Sequence, residues 1–196
     1  MWITRKKYVQ YFHRYYHSGI ALLKKRKCSM ESSYYITDCP GRGRGVYANK
    51  PFKAKEFIMK FSGKETPINE ISDFTHYLQI SPDHFLGPSG TADDYVNHSC
   101  DPNCALFFEN DELVLRSIKD ITPGEELNFD YGTIQFTEPT TFQCVCGSPL
   151  CRGMVSNFYA LPEKTRQYYL ENNMVPLLSR YTLEEIECAA TKMLVA

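Results

Sequence analysis

"YVNHSCDPNC", residues 95–104, combines residue types that suit neither a helix interior nor a strand. Its ten residues include two cysteines, a histidine, two asparagines, an aspartate and a proline. Asn, Asp and Pro favour turns, so this mixture predicts an irregular loop rather than a helix interior or a strand. Cysteine and histidine are also the side chains that bind zinc in proteins. By itself the loop is compatible with a metal site, a cofactor site or a tight turn.

A second cysteine-rich stretch, "CVCGSPLC", spaces Cys144, Cys146 and Cys151 as Cys-x-Cys-x4-Cys. Gly147 and Pro149 favour a sharp turn between them, so three thiolates can converge on one point. A structural zinc takes four ligands in a tetrahedron, and a fourth ligand is therefore needed. The spacing does not choose among the other cysteines of the chain or a histidine. The remaining cysteines are Cys28, Cys39, Cys100, Cys104 and Cys188.

The segment "GRGRGVYA", residues 41–48, is rich in glycine. Gly43 and Gly45 leave room for a ligand to approach the backbone closely. The segment does not open a helix, as a dinucleotide-binding fingerprint requires, and it is not a phosphate-binding Walker loop. A ligand-binding loop and a glycine-rich hairpin turn remain equally compatible with these residues.

Charge is distributed unevenly along the 196 residues, although the net charge is only −1. Residues 1–30 carry eight basic and no acidic side chains, whereas the rest carries 14 basic and 23 acidic ones. An acidic body tends to attract basic partners and to repel nucleic acid. The basic arm could bind nucleic acid, and its Lys24–Lys27 patch resembles a nuclear localisation signal. We see neither a secretory signal nor a membrane-spanning run, so we expect an intracellular protein whose clustered cysteines favour metal over disulfides.

The body is predicted to be mostly β, because short alternating runs begin at Tyr34 and are separated by turn residues. "ENDE" at 109–112 and "TPGEE" at 122–126 are the clearest predicted turns. The tail is predicted to be helical: Pro162 lies near the start of one helix, and Thr182 with Glu185 resembles the capping box of another. The predicted strands are "YYITDC", "GRGVYAN", "EFIMKFSG", "HYLQIS", "HFLGPSG", "ALFFEN", "ELVLRSI" and "ELNFDYG".

Taken in order, "GRGRGVYA", "YVNHSCDPNC", "GEELNFDYG" and "CVCGSPLCRG" resemble a SET-domain protein-lysine methyltransferase with a post-SET zinc segment. The resemblance covers residues 34 to 158. It implies a mostly β fold with some α, made of small curved sheets around a threaded, knot-like core and followed by C-terminal helices. The implied organisation is a basic arm at 1–30, a SET domain at 31–141, a post-SET zinc segment at 142–158 and a helical extension at 159–196.

The resemblance also implies roles for individual residues. Tyr131 would be the catalytic tyrosine and Phe129 the residue that tunes how many methyl groups are added, with di- or trimethylation permitted. Cys100 would be the fourth ligand of one structural zinc ion, with Cys144, Cys146 and Cys151. The cofactor would be S-adenosylmethionine, and its binding residues would be Gly43, Arg44, Gly45, Tyr47, Tyr95, Asn97, His98 and Tyr131.

The chain departs from the family pattern at four points, one of which is a short insert of about 30 residues between Gly63 and Asp93 that predicts a short wall for the substrate groove. Asp94 stands where arginine is common, Lys55 stands where a turn glycine is usual, and no cysteine-rich segment precedes the domain. The implied substrate is a lysine in a histone tail or another basic protein. The alternatives are an inactive SET-fold binding module and a nucleic-acid-associated adaptor that uses the basic arm. The sequence predicts no membrane partner and leaves the oligomeric state open.

Overall fold

The computed structural model describes residues 32–137 and 141–193. The predicted basic arm at 1–30, with Cys28 and the Lys24–Lys27 patch, lies outside the described residues. Within the described ranges, no helix combines the length and the apolar character needed to cross a bilayer.

The described residues contain twelve short strands between Tyr34 and Val155, which confirms the β-rich expectation. The longer strands are β1 (Tyr34–Cys39), β2 (Gly43–Ala48), β3 (Phe57–Lys60), β8 (Cys104–Glu109) and β9 (Glu112–Ser117). The shorter strands are β4 (Glu65–Pro67), β5 (Leu78–Gln79), β6 (His84–Leu86), β7 (Asn97–His98), β10 (Asn128–Phe129), β11 (Phe142–Gln143) and β12 (Met154–Val155).

These strands form small sheets rather than one large sheet. Strands β1 and β2 pair as an antiparallel hairpin, β3, β9 and β8 form one three-stranded sheet, and β4, β6 and β5 form another. Strands β11 and β12 pair next to the cysteine-rich segment. At the predicted "ENDE" turn, Asn110 and Asp111 take positive φ values of 49° and 66°, as a tight hairpin between β8 and β9 requires.

Parallel pairing of β7 with β10 brings two motifs together, because Asn97 lies opposite Asn128 and His98 lies opposite Phe129. A bridge between Tyr47 and Glu126 adds the glycine segment to the same region. Three segments that are far apart in sequence therefore meet at one place in the fold.

Four predicted strands are at least four residues shorter than their patterns indicated, and one of them, "EFIMKFSG", is strand only over Phe57–Lys60. "HYLQIS" contains only β5, because His76 takes a positive φ of 65° just before it. "HFLGPSG" is strand only as far as Leu86, because Gly87 turns the chain with a φ of 128° and Pro88 cannot donate to a ladder. "ELNFDYG" ends as a strand at Phe129, because the Asp130 carboxylate accepts a hydrogen bond from the Gly132 N–H (3.0 Å) and starts a 3-10 turn.

The helical tail is confirmed as two helices, α1 (Glu163–Glu171) and α2 (Leu183–Met193). The predicted capping box is formed, since Glu185 accepts from the Thr182 N–H (2.7 Å) and the Thr182 hydroxyl accepts from the Glu185 N–H (3.2 Å). Tyr169 of α1 and Ile186 of α2 are buried in the main hydrophobic core. Both helices therefore pack against the β-rich body.

Candidate active site

Tyr131 lies where two cavities meet. It lines a cavity of about 310 Å³ on one side and a cavity of about 200 Å³ on the other. Phe142 is shared by the same two cavities. Tyr131 and Phe142 therefore border both cavities.

The larger cavity is walled mainly by aromatic and aliphatic side chains. Phe129 is 1% exposed and packs against Tyr131, with ring centroids 5.0 Å apart. Phe61 meets Phe129 edge to face at 6.0 Å. Other apolar lining residues are Phe74, Tyr77, Leu78, Leu86 and Val96. The polar part of the lining includes Asp73, Asp93 and Asp94. The apolar part suits an alkyl chain, while these carboxylates favour a cationic group.

The smaller cavity is lined by two of the sequence motifs and by the cysteine-rich segment. Asn97 and His98 come from the loop at 95–104, and Gly41 and Arg42 are the first two residues of the glycine segment. The opposite side is formed by Gln143, Cys144, Val145, Cys146 and Val155. The predicted cofactor residues Asn97, His98 and Tyr131 therefore share one cavity. Gly43, Arg44, Gly45, Tyr47 and Tyr95 do not line it.

The Tyr131 hydroxyl is held in place as a hydrogen-bond donor. It donates to the carbonyl oxygen of Val96 at 3.0 Å. Burial raises the pKa of Tyr131 to about 12, so the phenol keeps its proton at neutral pH. A protonated phenol can orient a reactant, whereas it cannot serve as a general base.

The glycine segment is held against the rear of the smaller cavity. A Cβ atom on Gly45 would lie 2.8 Å from Glu126 Oε1 and 3.1 Å from Asn97 Nδ2, so a side chain does not fit there. Asn97 Nδ2 donates to Glu126 Oε1 (2.8 Å) and to the carbonyl oxygen of Arg44 (2.9 Å). Gly43 has a φ of 73°, a conformation that favours glycine. These contacts fix Asn97 relative to the backbone at 43–45.

Two other predicted cofactor residues contact each other instead of lining the smaller cavity. The Arg44 guanidinium lies 3.8 Å from the centroid of the Tyr95 ring and donates to its hydroxyl. Tyr47 stacks on Tyr35 with centroids 5.7 Å apart. The side chains of Arg44 and Tyr47 thus pack on neighbouring aromatic rings.

The four cysteines proposed as metal ligands converge. The Sγ atoms of Cys100, Cys144, Cys146 and Cys151 all lie within 4.8 Å of one another. Cys104 is not part of this group; burial raises its pKa to about 12, as expected for a thiol in the core. Four sulfur donors at such separations fit a tetrahedral zinc ion.

His98 connects the cysteine cluster to Tyr131. Its Nδ1 accepts the Tyr131 backbone N–H at 3.2 Å, and its Nε2 lies 3.3 Å from Cys100 Sγ. Burial lowers the pKa of His98 to about 4, so the ring is neutral at neutral pH. Since Nδ1 accepts a hydrogen bond, the ring proton is on Nε2 and points toward the sulfur.

Several site residues were missed by sequence reasoning. Arg42 forms an ion pair with Glu126 at 2.6 Å beside the smaller cavity. Arg42 could have been found from its place in the motif "GRGRG". Asp130 could have been found from its place in the motif "NFDYG". Phe142 and Tyr169 lie in no recognisable motif.

Comparison with known proteins identifies the central part of the chain. The family model described as SET domain matches residues 43–132. Histone-lysine N-methyltransferase trr of Drosophila melanogaster is 27% identical over 158 residues, which cover 72% of this chain and 6% of that protein. An H3 lysine-4 specific histone-lysine N-methyltransferase of Eremothecium gossypii is 29% identical over 131 residues, covering 57% of this chain and 13% of that protein. The chain spans between 3% and 13% of the length of the first curated relatives that it matches.

Solved structures support the fold. The crystal structure of KRYPTONITE in complex with mCHG DNA and SAH superposes with a TM-score of 0.53 at 20% identity, covering 61% of this chain and 28% of that one. A second KRYPTONITE complex, with mCHH DNA, H3(1-15) peptide and SAH, gives a TM-score of 0.52 at 20% identity, with 61% and 29% covered. The arrangement of small sheets is thus that of a SET domain.

Proposed function

Because residues 43–132 of this chain match the SET-domain family model, we propose that the protein transfers a methyl group from S-adenosylmethionine to the side-chain amine of a lysine in a protein substrate. The observation that carries the proposal is the position of Tyr131 at the junction of two cavities. One cavity is apolar enough for a lysine stem, and the other is bordered by the loop and glycine motifs. The curated relatives named above are histone-lysine methyltransferases, which supports the same reaction.

The larger cavity is proposed as the lysine channel. A free lysine amine has a pKa of about 10.4 and is charged at neutral pH, whereas only the neutral amine is a nucleophile. Burial among Phe61, Phe129 and Val96 would disfavour the ammonium form and lower that pKa. Asp73, Asp93 and Asp94 in the same lining would act in the opposite direction and favour the ammonium form as lysine enters. The aromatic rings still attract a methylated, cationic product at short range.

The smaller cavity is proposed as the centre of the cofactor site, with contacts from Asn97, His98 and Tyr131. The proposed site extends beyond this cavity to Gly43, Arg44, Gly45, Tyr47 and Tyr95. S-adenosylmethionine, when bound, supplies a methyl group that is already activated by a positively charged sulfur. The task of the chain is therefore to align the amine with that methyl group and to exclude water. Tyr131, fixed through its hydrogen bond to Val96, is proposed to align the two reactants.

Cys100, Cys144, Cys146 and Cys151 are proposed to hold one structural zinc ion. This ion would have no place in the chemistry, because four protein ligands leave no open position. It would fix the segment at 142–158, which walls the proposed cofactor site through Cys144, Val145 and Cys146.

A histone tail is the proposed substrate, and the nucleus is the proposed location. The H3(1-15) peptide in the KRYPTONITE complex and the names of the relatives support a histone. Residues 31–196 carry 14 basic and 23 acidic side chains, which also favours a basic partner. Contact with nucleic acid is proposed only for the basic arm.

The proposal is tested by incubating the full chain with methyl-labelled S-adenosylmethionine and an array of histone peptides. We expect labelling of particular lysine peptides and none of the matched peptides in which that lysine is replaced by arginine. Cofactor binding by calorimetry without labelling of any peptide or protein would favour the inactive binding module. Failure to bind the cofactor at all would exclude the enzyme and leave the inactive binding module or the nucleic-acid-associated adaptor.

Phe129→Tyr is expected to shift the products toward monomethyl-lysine. Phe129 is fully buried beside Tyr131, and a hydroxyl there needs a hydrogen-bond partner such as a bound water. That water would take the space of further methyl groups, and we expect the trimethyl fraction to fall at least about tenfold. Mass spectrometry of the peptide products measures the fractions. Phe74→Tyr, the same change elsewhere in this cavity, is the control, and equal product ratios in both variants would contradict the assignment.

A further inference from the structure

The residue just before Tyr131 is an almost fully buried carboxylate. Asp130 is 2% exposed, and both of its oxygens have charged or polar partners. Arg152 donates to it through two nitrogens, each at 2.8 Å, and the Tyr169 hydroxyl donates to Oδ2 at 2.9 Å. A buried charge is stable only when it is paired and hydrogen-bonded, so these partners determine where Asp130 can lie.

Tyr169 comes from a part of the chain that lies beyond the SET-domain match. It is in the nine-residue helix α1 and is 3% exposed. Its hydroxyl spans 39 positions of sequence to reach Asp130. Burial, with the Asp130 charge beside it, raises the pKa of Tyr169 far above the ordinary value, so the hydroxyl remains a donor.

The residue just after Tyr131 is also held by the C-terminal segment. A Cβ atom on Gly132 would lie 2.8 Å from Leu161 Cδ2 and 3.1 Å from the carbonyl oxygen of Ser156. Leu161 is 4% exposed and belongs to the main core. The backbone at 132 therefore lies directly against the segment that leads into α1.

From these two contacts we infer that the C-terminal segment 156–171 positions Tyr131, and that Tyr169 is a positioning residue for methyl transfer. Tyr169 holds Asp130 on one side of Tyr131, and Leu161 confines Gly132 on the other. Small displacements of an aligning group have large effects on a reaction that requires in-line geometry. The inference depends on the proposed function, since it concerns the rate of that reaction.

Two roles of Tyr169 can be separated, because the ring and the hydroxyl do different things. The ring fills the core, as any aromatic residue could, while the hydroxyl alone contacts Asp130. Tyr169→Phe removes one oxygen and keeps the ring. A residue that only fills space would tolerate this change.

The test compares Tyr169→Phe with Tyr168→Phe in steady-state methyl transfer by the full chain. Tyr168 is the neighbouring residue of α1 and is 48% exposed. We expect kcat of Tyr169→Phe to fall about tenfold, with the peptide KM and the cofactor Kd changed less than about twofold. Tyr168→Phe is expected to match the wild type in all three quantities.

A second measurement assigns the effect to Asp130. In the background Asp130→Asn, adding Tyr169→Phe is expected to cause no further loss of kcat, because the charged acceptor is already absent. A kcat of Tyr169→Phe within twofold of the wild type overturns the inference, and so does an equal further loss in the Asp130→Asn background. If Asp130→Asn does not fold, the kcat and KM values of Tyr169→Phe decide the question. A wild-type chain without methyl transfer would instead refute the proposed function.

Discussion

Tyr131→Phe is expected to lower kcat for methyl transfer by about a hundredfold or more while leaving cofactor affinity within about threefold of the wild type. The variant keeps the ring, which packs on Phe129 and His98 with centroids at 5.0 and 5.4 Å. It loses the hydroxyl that donates to the Val96 carbonyl oxygen at 3.0 Å. With that bond gone, the Val96 carbonyl and the ring can no longer define one position for the amine and the methyl group.

Steady-state kinetics on a labelled peptide measure kcat, and calorimetry measures cofactor binding separately. Tyr181→Phe is the matched control, since it makes the same change in a half-buried tyrosine that lines neither of the two cavities. We expect the control to behave as the wild type. A Tyr131→Phe variant that keeps full kcat would remove Tyr131 from the catalytic role and leave the cavity junction without a function.

The parts of the fold that depend on local chemistry could be predicted from the sequence. Asn110 and Asp111 tolerate positive φ, so the hairpin between β8 and β9 follows from those two residues. The capping box at Thr182 is equally local. Lys55 was noted where a glycine is usual, and the structure places it at a φ of 72°. The cysteine cluster was predictable for a different reason. Three cysteines within eight residues already supply three of the four ligands that a tetrahedral zinc ion needs.

The parts that depend on long-range packing could not be predicted. The contact of Tyr169 with Asp130 joins a helix to a turn, and nothing near Tyr169 in the sequence distinguishes it from Tyr168. For the same reason, the sequence could not show which side chains line the two cavities. Arg44 was expected at the cofactor, but its side chain stacks on Tyr95, a residue 51 positions away. A motif specifies which backbone segments meet, whereas the rotamer of each side chain depends on neighbours that only the folded chain brings near.

Removal of zinc is expected to weaken cofactor binding at least about tenfold, because the proposed metal site and the proposed cofactor site share a wall. Cys144 and Cys146 line the smaller cavity and also belong to the four-thiol cluster. Cys100 lies 3.3 Å from His98 Nε2, and the other nitrogen of that ring accepts the Tyr131 N–H. Without the ion, four thiolates within 4.8 Å of one another repel or take up protons, and the segment at 142–158 loses its anchor.

The measurement compares cofactor Kd by calorimetry before and after chelation, with zinc content followed by elemental analysis. Cys146→Ser should bind less zinc and bind the cofactor more weakly, whereas Cys188→Ser, at an exposed cysteine of α2 outside the cluster, should change neither. Return of zinc to the chelated wild type is expected to restore affinity, which separates loss of the ion from irreversible unfolding. An unchanged cofactor Kd in fully zinc-free protein would mean that the loop at 95–104 contributes to the proposed metal site and to the proposed cofactor site independently. In that case His98 would be a structural histidine rather than the connection between metal and cofactor.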